Sequence, residues 1–261
     1  MASNRQRWAQ RWLAGTMFFA WFGAAEATEL ADTLDRVRPS IVSVGVLNDL
    51  KQTGKNTLPV EYRGTGFVVG DGRQVITNFH VVPDPETLTE GRLLVVFVGR
   101  GEAATSRIAR VEKTDQIHDL ALLSISGTAL KPMTLNSAST VREGQEVAFT
   151  GFPIGLALGM YPSTNKGIVS AITPVVMPAV SARALTAAQI RRMRTPFTVY
   201  QLDAIAYPGN SGSPVYDIAT GDVVAIVNSV FIKETKEGVL TAPSAITYAI
   251  PVQFAEALLN Q

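Results

Sequence analysis

The chain has 261 residues, 46% of them hydrophobic and 17% charged, with a formal net charge of +1. Length and composition suit a globular protein of one large or two small domains. The near-neutral balance gives no electrostatic case for nucleic acid or for an acidic partner.

The first 27 residues read as an export signal. Arg5, Arg7 and Arg11 form a basic start, Trp12–Gly23 is a short apolar run, and Ala25–Ala27 supplies the small residues of a cleavage site. The apolar run is about half the length a bilayer span needs, so no stable membrane span is expected after processing. Cleavage after Ala27 removes three arginines and Glu26 and leaves a domain without charge bias. There are no cysteines, so an exported chain of this kind depends on its core rather than on disulfides. The expected location is the periplasm of a bacterial envelope, or outside the cell.

A short amphipathic segment, Ala31–Arg36, opens the domain. Then β-rich runs follow at short intervals. Ser40–Asn48 is β-branched and apolar, and Thr65–Val69 and Gln74–Asn78 flank "GDG", a hairpin signal. Leu93–Val98, Ser106–Val111 and Leu120–Ile125 complete a first set of six. After a soft stretch at Gly127–Arg142 a second six begins with Glu146–Thr150, Gly167–Ile172 and Thr198–Leu202. Ser213–Tyr216, Val223–Val230 and Thr247–Pro251 finish it. Within the second half, "TAAQIRRM" (Thr186–Met193) carries a capping box and a basic face, read as a solvated helix. "VQFAEALLN" places Phe254, Ala255 and Leu258 at helical spacing and predicts a short closing helix. The predicted class is all-β: two packed six-stranded antiparallel β-barrels, residues 28–135 and 136–261, with a sandwich as the architecture that strand counting leaves open.

The stretch "YPGNSGSP" (Tyr207–Pro214) sets Ser211 between glycines at a proline-led bend. Taken alone it is a surface turn. Read chemically, it is a nucleophile flanked by backbone N–H groups. A serine hydroxyl needs a base, and the chain has two histidines. His80, in "VITNFHVV", sits at a strand end. His118 immediately precedes Asp119, and neighbours on a strand face opposite ways, so Asp119 is assigned to the His80 ring instead. The order His80, Asp119, Ser211 is a known arrangement of a catalytic triad. Gly209 can take positive φ, so that the Gly209 and Ser211 N–H groups form an oxyanion hole with Asn210 making the bend. The pattern is not that of an α/β-hydrolase esterase, because Gly209–Ser213 reads G-N-S-G-S and no βαβ alternation is present. Two histidines and no cysteines leave few ligands for a metal enzyme, so none is expected.

"RGTGFVVGDGRQVITNFHVV" (Arg63–Val82), "HDLALL" (His118–Leu123) and "PGNSGSP" (Pro208–Pro214) together resemble the signatures of trypsin-fold serine proteases. Gly151–Ile172 and Ile246–Val252 resemble the HtrA/Deg branch in particular. The resemblance implies a double β-barrel with the active site between barrels, endopeptidase activity on polypeptides and no cofactor. It leaves homo-oligomers open without identifying their contacts. Against the branch, Tyr207 replaces a common Asn, Ser213 replaces a common Gly, no C-terminal PDZ domain is expected, and Thr173–Pro196 reads as an insertion. By the same resemblance Ala206, Val230 and Phe231 shape the substrate pocket. Ile205 stands where trypsin has a carboxylate, which disfavours cleavage after Arg or Lys. Asp203 is read as a structural partner. The competing expectation is a binding or chaperone module on the same fold with a silent site.

Overall fold

In the structure, a computed structural model, the described residues are 25–48, 60–88, 91–153, 159–175, 196–228 and 246–261. The expected helix Thr186–Met193, most of the export segment, and Val230 and Phe231 lie outside them. Twelve strands form two closed antiparallel six-stranded barrels.

The first barrel contains β1 (Ile41–Asn48), β2 (Val60–Val69), β3 (Gln74–Asn78), β4 (Arg92–Val98), β5 (Thr105–Asp115) and β6 (Leu120–Ile125). They run in the spatial order β1-β2-β3-β6-β5-β4, and β4 closes on β1. The "GDG" turn joins β2 to β3 with Gly70 and Gly72 at φ 60° and 85°, a conformation that glycine adopts without strain. Inside this barrel Val42, Val44, Val68, Val75, Leu94, Val96 and Leu123 pack together. The alternation of these strands delivers one residue in two to that interior.

The second barrel contains β7 (Glu146–Gly151), β8 (Ser163–Pro174), β9 (Thr198–Asp203), β10 (Pro214–Asp217), β11 (Val223–Asn228) and β12 (Ile246–Pro251). Their order is β10-β11-β12-β9-β8-β7, closed by β7 on β10. Its interior gathers Val147, Phe149, Val169, Leu202, Val215 and Val227. A larger cluster lies outside both interiors and includes Phe67, Ile76, Leu120, Leu122, Phe152, Tyr216, Ile226 and Ile250. β6 and β11 are buried throughout or nearly so, because one face fills a barrel and the other fills this seam. Continuous apolar sequence is the signature of such doubly covered strands.

The two α-helices among the described residues cross over. α1 (Ala25–Val37) is longer than the expected Ala31–Arg36, and it precedes the first barrel yet docks on the second. There the buried Thr33 hydroxyl donates to the Ile218 carbonyl at 2.8 Å, and Arg36 reaches the Ala219 carbonyl. α2 (Gln253–Asn260) follows the second barrel and docks on the first. The Lys113 ammonium of β5 lies 3.4 Å from the carbonyls of Leu258 and Leu259 at its C-terminal end, where a cation complements the helix dipole.

Candidate active site

The register of β3 against β6 sets the first half of the site. Asn78 pairs with Leu120, so the residues just beyond, Phe79 and Asp119, lie beside each other. The Asp119 carbonyl accepts from the Phe79 N–H and from the Asn78 side-chain amide, both at 3.0 Å. His80 sits in the one-turn 3₁₀ segment Phe79–Val81 that ends β3. Its backbone N–H donates to Asp119 Oδ1 at 3.0 Å, and its Nδ1 lies 2.6 Å from Asp119 Oδ2. Asp119 is 5% exposed and the His80 side chain 30%. A buried carboxylate requires such partners.

The third donor to that carboxylate comes from the other barrel. Asn228, fully buried at the end of β11, donates through Nδ2 to Asp119 Oδ2 at 2.7 Å. One residue earlier, Val227 donates to the Ser213 carbonyl and accepts from the Gly212 N–H. Two consecutive β11 residues therefore connect the Asp119 carboxylate with the bend that carries Ser211.

That bend is held from the first barrel as well. The Thr65 N–H donates to the Ser211 carbonyl at 2.9 Å, and the Thr65 hydroxyl donates to the Gly209 carbonyl at 2.7 Å. The same hydroxyl accepts from the Phe152 N–H at 2.9 Å. Gly209 and Gly212 take φ 101° and 86°. The Asn210 N–H donates to the Tyr207 carbonyl at 3.0 Å and closes the bend. Ser211 is 4% exposed. At Gly64 an added Cβ would sit 2.9 Å from the Ser211 carbonyl oxygen and 2.7 Å from the Val81 side chain. The residue after His80 and the Ser211 bend thus approach β2 at one glycine.

Behind the bend, a Cβ at Gly151 would lie 2.0 Å from Ser213 Oγ, 2.8 Å from Asn210 Oδ1 and 2.9 Å from Thr65 Oγ1. The Asn210 amide and the Ser213 hydroxyl are buried there without a hydrogen-bond partner among the described residues. Of the expected pocket residues, Ala206 is buried and its N–H donates to the Thr247 hydroxyl at 3.0 Å, while Ile205 is half-buried. Thr247 in turn donates to the Ala204 carbonyl, which ties the 204–206 segment to β12. Asp203 is exposed at the end of β9 and makes no salt bridge among the described residues.

The remaining histidine has a separate partner. His118 is held by Asp115, three residues earlier, rather than by its neighbour Asp119. Thr65 and Asn228, which hold the Ser211 bend and the Asp119 carboxylate, are contacts that sequence reasoning missed. Their signals are slight: a hydroxyl between the glycines of "GTG", and one amide ending the apolar run "VVAIVN".

Two closed barrels, with a histidine–aspartate pair from one braced against a glycine-flanked serine bend of the other, define the trypsin-fold class. A sequence profile of the trypsin-like peptidase domain matches residues 64–226, and the chain belongs to that family. It is 30% identical over 198 residues to a probable periplasmic serine endoprotease, DegP-like, of Pseudomonas fluorescens, covering 76% of this chain and 34% of the relative. It is 29% identical over 245 residues to the serine protease Do-like HtrB of Bacillus subtilis, covering 90% of this chain and 47% of that one. Among solved structures, an HtrA-type protease, AlgW with tripeptide, superposes with a TM-score of 0.61 at 23% identity, over 88% of this chain and 62% of that one. That likeness agrees with the barrel architecture. The chain spans about a third of the length of the DegP-like relatives it matches.

Proposed function

We propose that this chain is an exported serine endopeptidase that hydrolyses peptide bonds with Ser211, His80 and Asp119. The observation that carries the reading is the Asp119 carboxylate, which holds the His80 backbone and ring while accepting from Asn228 beside the Ser211 bend. In this mechanism the Nδ1–H of His80 donates to Asp119, which leaves Nε2 as the base. Nε2 takes the Ser211 proton as Oγ attacks the substrate carbonyl carbon. The Gly209 and Ser211 N–H groups stabilise the oxyanion, and losing one such donor costs on the order of 3 kcal/mol of barrier. His80 then gives its proton to the leaving amine. Water, activated by the same imidazole, hydrolyses the acyl-enzyme and regenerates Ser211.

The substrates are polypeptides. The lack of a carboxylate at Ile205, together with buried Ala206, favours an apolar side chain at the cleaved position. The basic, then apolar, N-terminal segment and the periplasmic relatives support action in the bacterial envelope, in quality control or processing.

A proteome-derived peptide library, digested with wild-type protein and with Ser211→Ala, tests both parts. Cleavage after Val, Ala or Leu that disappears in the variant is expected. Cleavage after Arg and Lys contradicts the pocket reading. An intact library after exposure to folded wild-type protein contradicts the enzyme and leaves the binding module.

A further inference from the structure

His118 is not used by the proposed mechanism, yet its ring is fixed on several sides. At the end of β5, Asp115 accepts the His118 backbone N–H on Oδ1 at 3.0 Å and faces the ring Nδ1 with Oδ2 at 2.5 Å. This is the same two-point hold that Asp119 has on His80. Phe254 of α2 stacks on the His118 ring with centroids 3.8 Å apart and planes 15° from parallel. Phe197, just before β9, meets the ring edge-on at 4.6 Å. Phe197 and Phe254 also contact each other. The His118 side chain is 20% exposed.

The residue after this clamp is Asp119, whose φ of 56° is the only positive value at a non-glycine among the described residues. Such a conformation persists only where the surroundings determine it strongly, and it is concentrated at functional sites. Asn78 and Phe79 fix the Asp119 carbonyl on its exit side. On its entry side the fixed group is His118.

We propose that His118 is a positioning residue: clamped between Asp115 and Phe254, it sets the backbone entering Asp119 and so aims that carboxylate at His80. The inference rests on the proposed triad. It makes α2, at the opposite end of the chain, part of the support of the active-site carboxylate. The other charged groups nearby on these elements are committed elsewhere. The Lys113 ammonium points to the end of α2, and Glu256 of α2 accepts from the Ser137 hydroxyl.

The test compares the labelling rate by a fluorophosphonate probe with the low-field proton resonance of the His80–Asp119 hydrogen bond and with thermal stability. Phe254→Ala removes the stack, His118→Gln removes the ring, and Phe254→Tyr restores a stacking ring. Leu259→Ala, also on α2 but with its side chain toward Gly70, loosens the helix while leaving the Phe254 ring in place. Labelling is expected to slow on the order of 10- to 100-fold in Phe254→Ala and His118→Gln, the cost of misplacing a reacting group. Their low-field resonance is lost or moved, Phe254→Tyr labels like wild type, and Leu259→Ala is less stable but equally reactive. The proposal is overturned if the two disruptive variants keep the wild-type rate and resonance. It is also overturned if Leu259→Ala slows labelling as much for the same loss of melting temperature. A parent chain that does not label at all removes the triad, and the proposal falls with it, a result distinct from reactive parent and reactive variants.

Discussion

At Asp119, two carboxylate oxygens serve three donors: the His80 N–H, the His80 ring and the Asn228 amide. Local sequence cannot display such a junction, since its members lie 39 and 109 residues from the carboxylate. His80, Asp119 and Ser211 are the proposed set because a serine needs a base, the chain has two histidines, and the motifs run in that order. Strand alternation places His118 and Asp119 on opposite sides in the sequence reading. In fact both lie in the turn before β6, and Asp115 takes His118 because a three-residue turn brings its carboxylate back over the ring. At Asp115, burial pushes the carboxyl pKa up, but hydrogen bonds from the His118 ring and backbone, the His118 charge and the Ile117 N–H outweigh it and hold the value below the usual carboxylate range. A depressed folded pKa gives stability that is present above the unfolded value, about 3.9, and lost as pH falls through the lower folded value. Melting temperature should therefore fall more steeply in wild type than in Asp115→Asn as the pH is lowered below about 4. Parallel melting curves in acid would refute this coupling.

Among the elements, β3 and β6 are found in the sequence with the bounds that the structure gives them, because the "GDG" turn opens the first and Asp119 and Ser126–Gly127 bracket the second. Other ends moved. β2 was expected from Thr65 and begins at Val60, β5 was expected to end at Val111 and continues to Asp115, and β8 was expected over Gly167–Ile172 but runs Ser163–Pro174. Their extra residues are largely exposed or half-exposed and polar, so no alternation marks them, and they are strand only because a neighbour pairs with them. The serine bend makes a second demand invisible in its own sequence: β7 must bring Gly151 against it without a Cβ. Gly151→Ala should destabilise the fold by driving its methyl into Ser213 Oγ. Adding Ser213→Ala deletes that atom, a buried hydroxyl without a partner among the described residues, the kind of group that costs about 1–3 kcal/mol. Thermal unfolding of the four chains of this cycle should show the pair less destabilised than the sum of the single changes. Additive losses would contradict the crowding at Gly151.

For the whole molecule, the count of six and six runs on either side of Gly127–Arg142 was enough to indicate two barrels, though not to choose them over a sandwich. Closure of β4 on β1 and of β7 on β10 decides it. The exchange of helices between barrels was not legible, since an amphipathic stripe shows that a helix docks but not where. These crossings have a consequence for function. α1 braces the second barrel, α2 braces the first, and Thr65 and Asn228 each reach from one barrel to the site residue of the other. The arrangement is thus a property of the assembled pair, and neither barrel carries His80, Asp119 and Ser211 together. Mass-spectrometric mapping of a fluorophosphonate adduct on the purified chain tests this account most directly. The account predicts an adduct on Ser211 in wild type, much slower modification in His80→Ala and none in Ser211→Ala. An adduct on a different side chain, or a folded wild-type protein that stays unmodified, would contradict it.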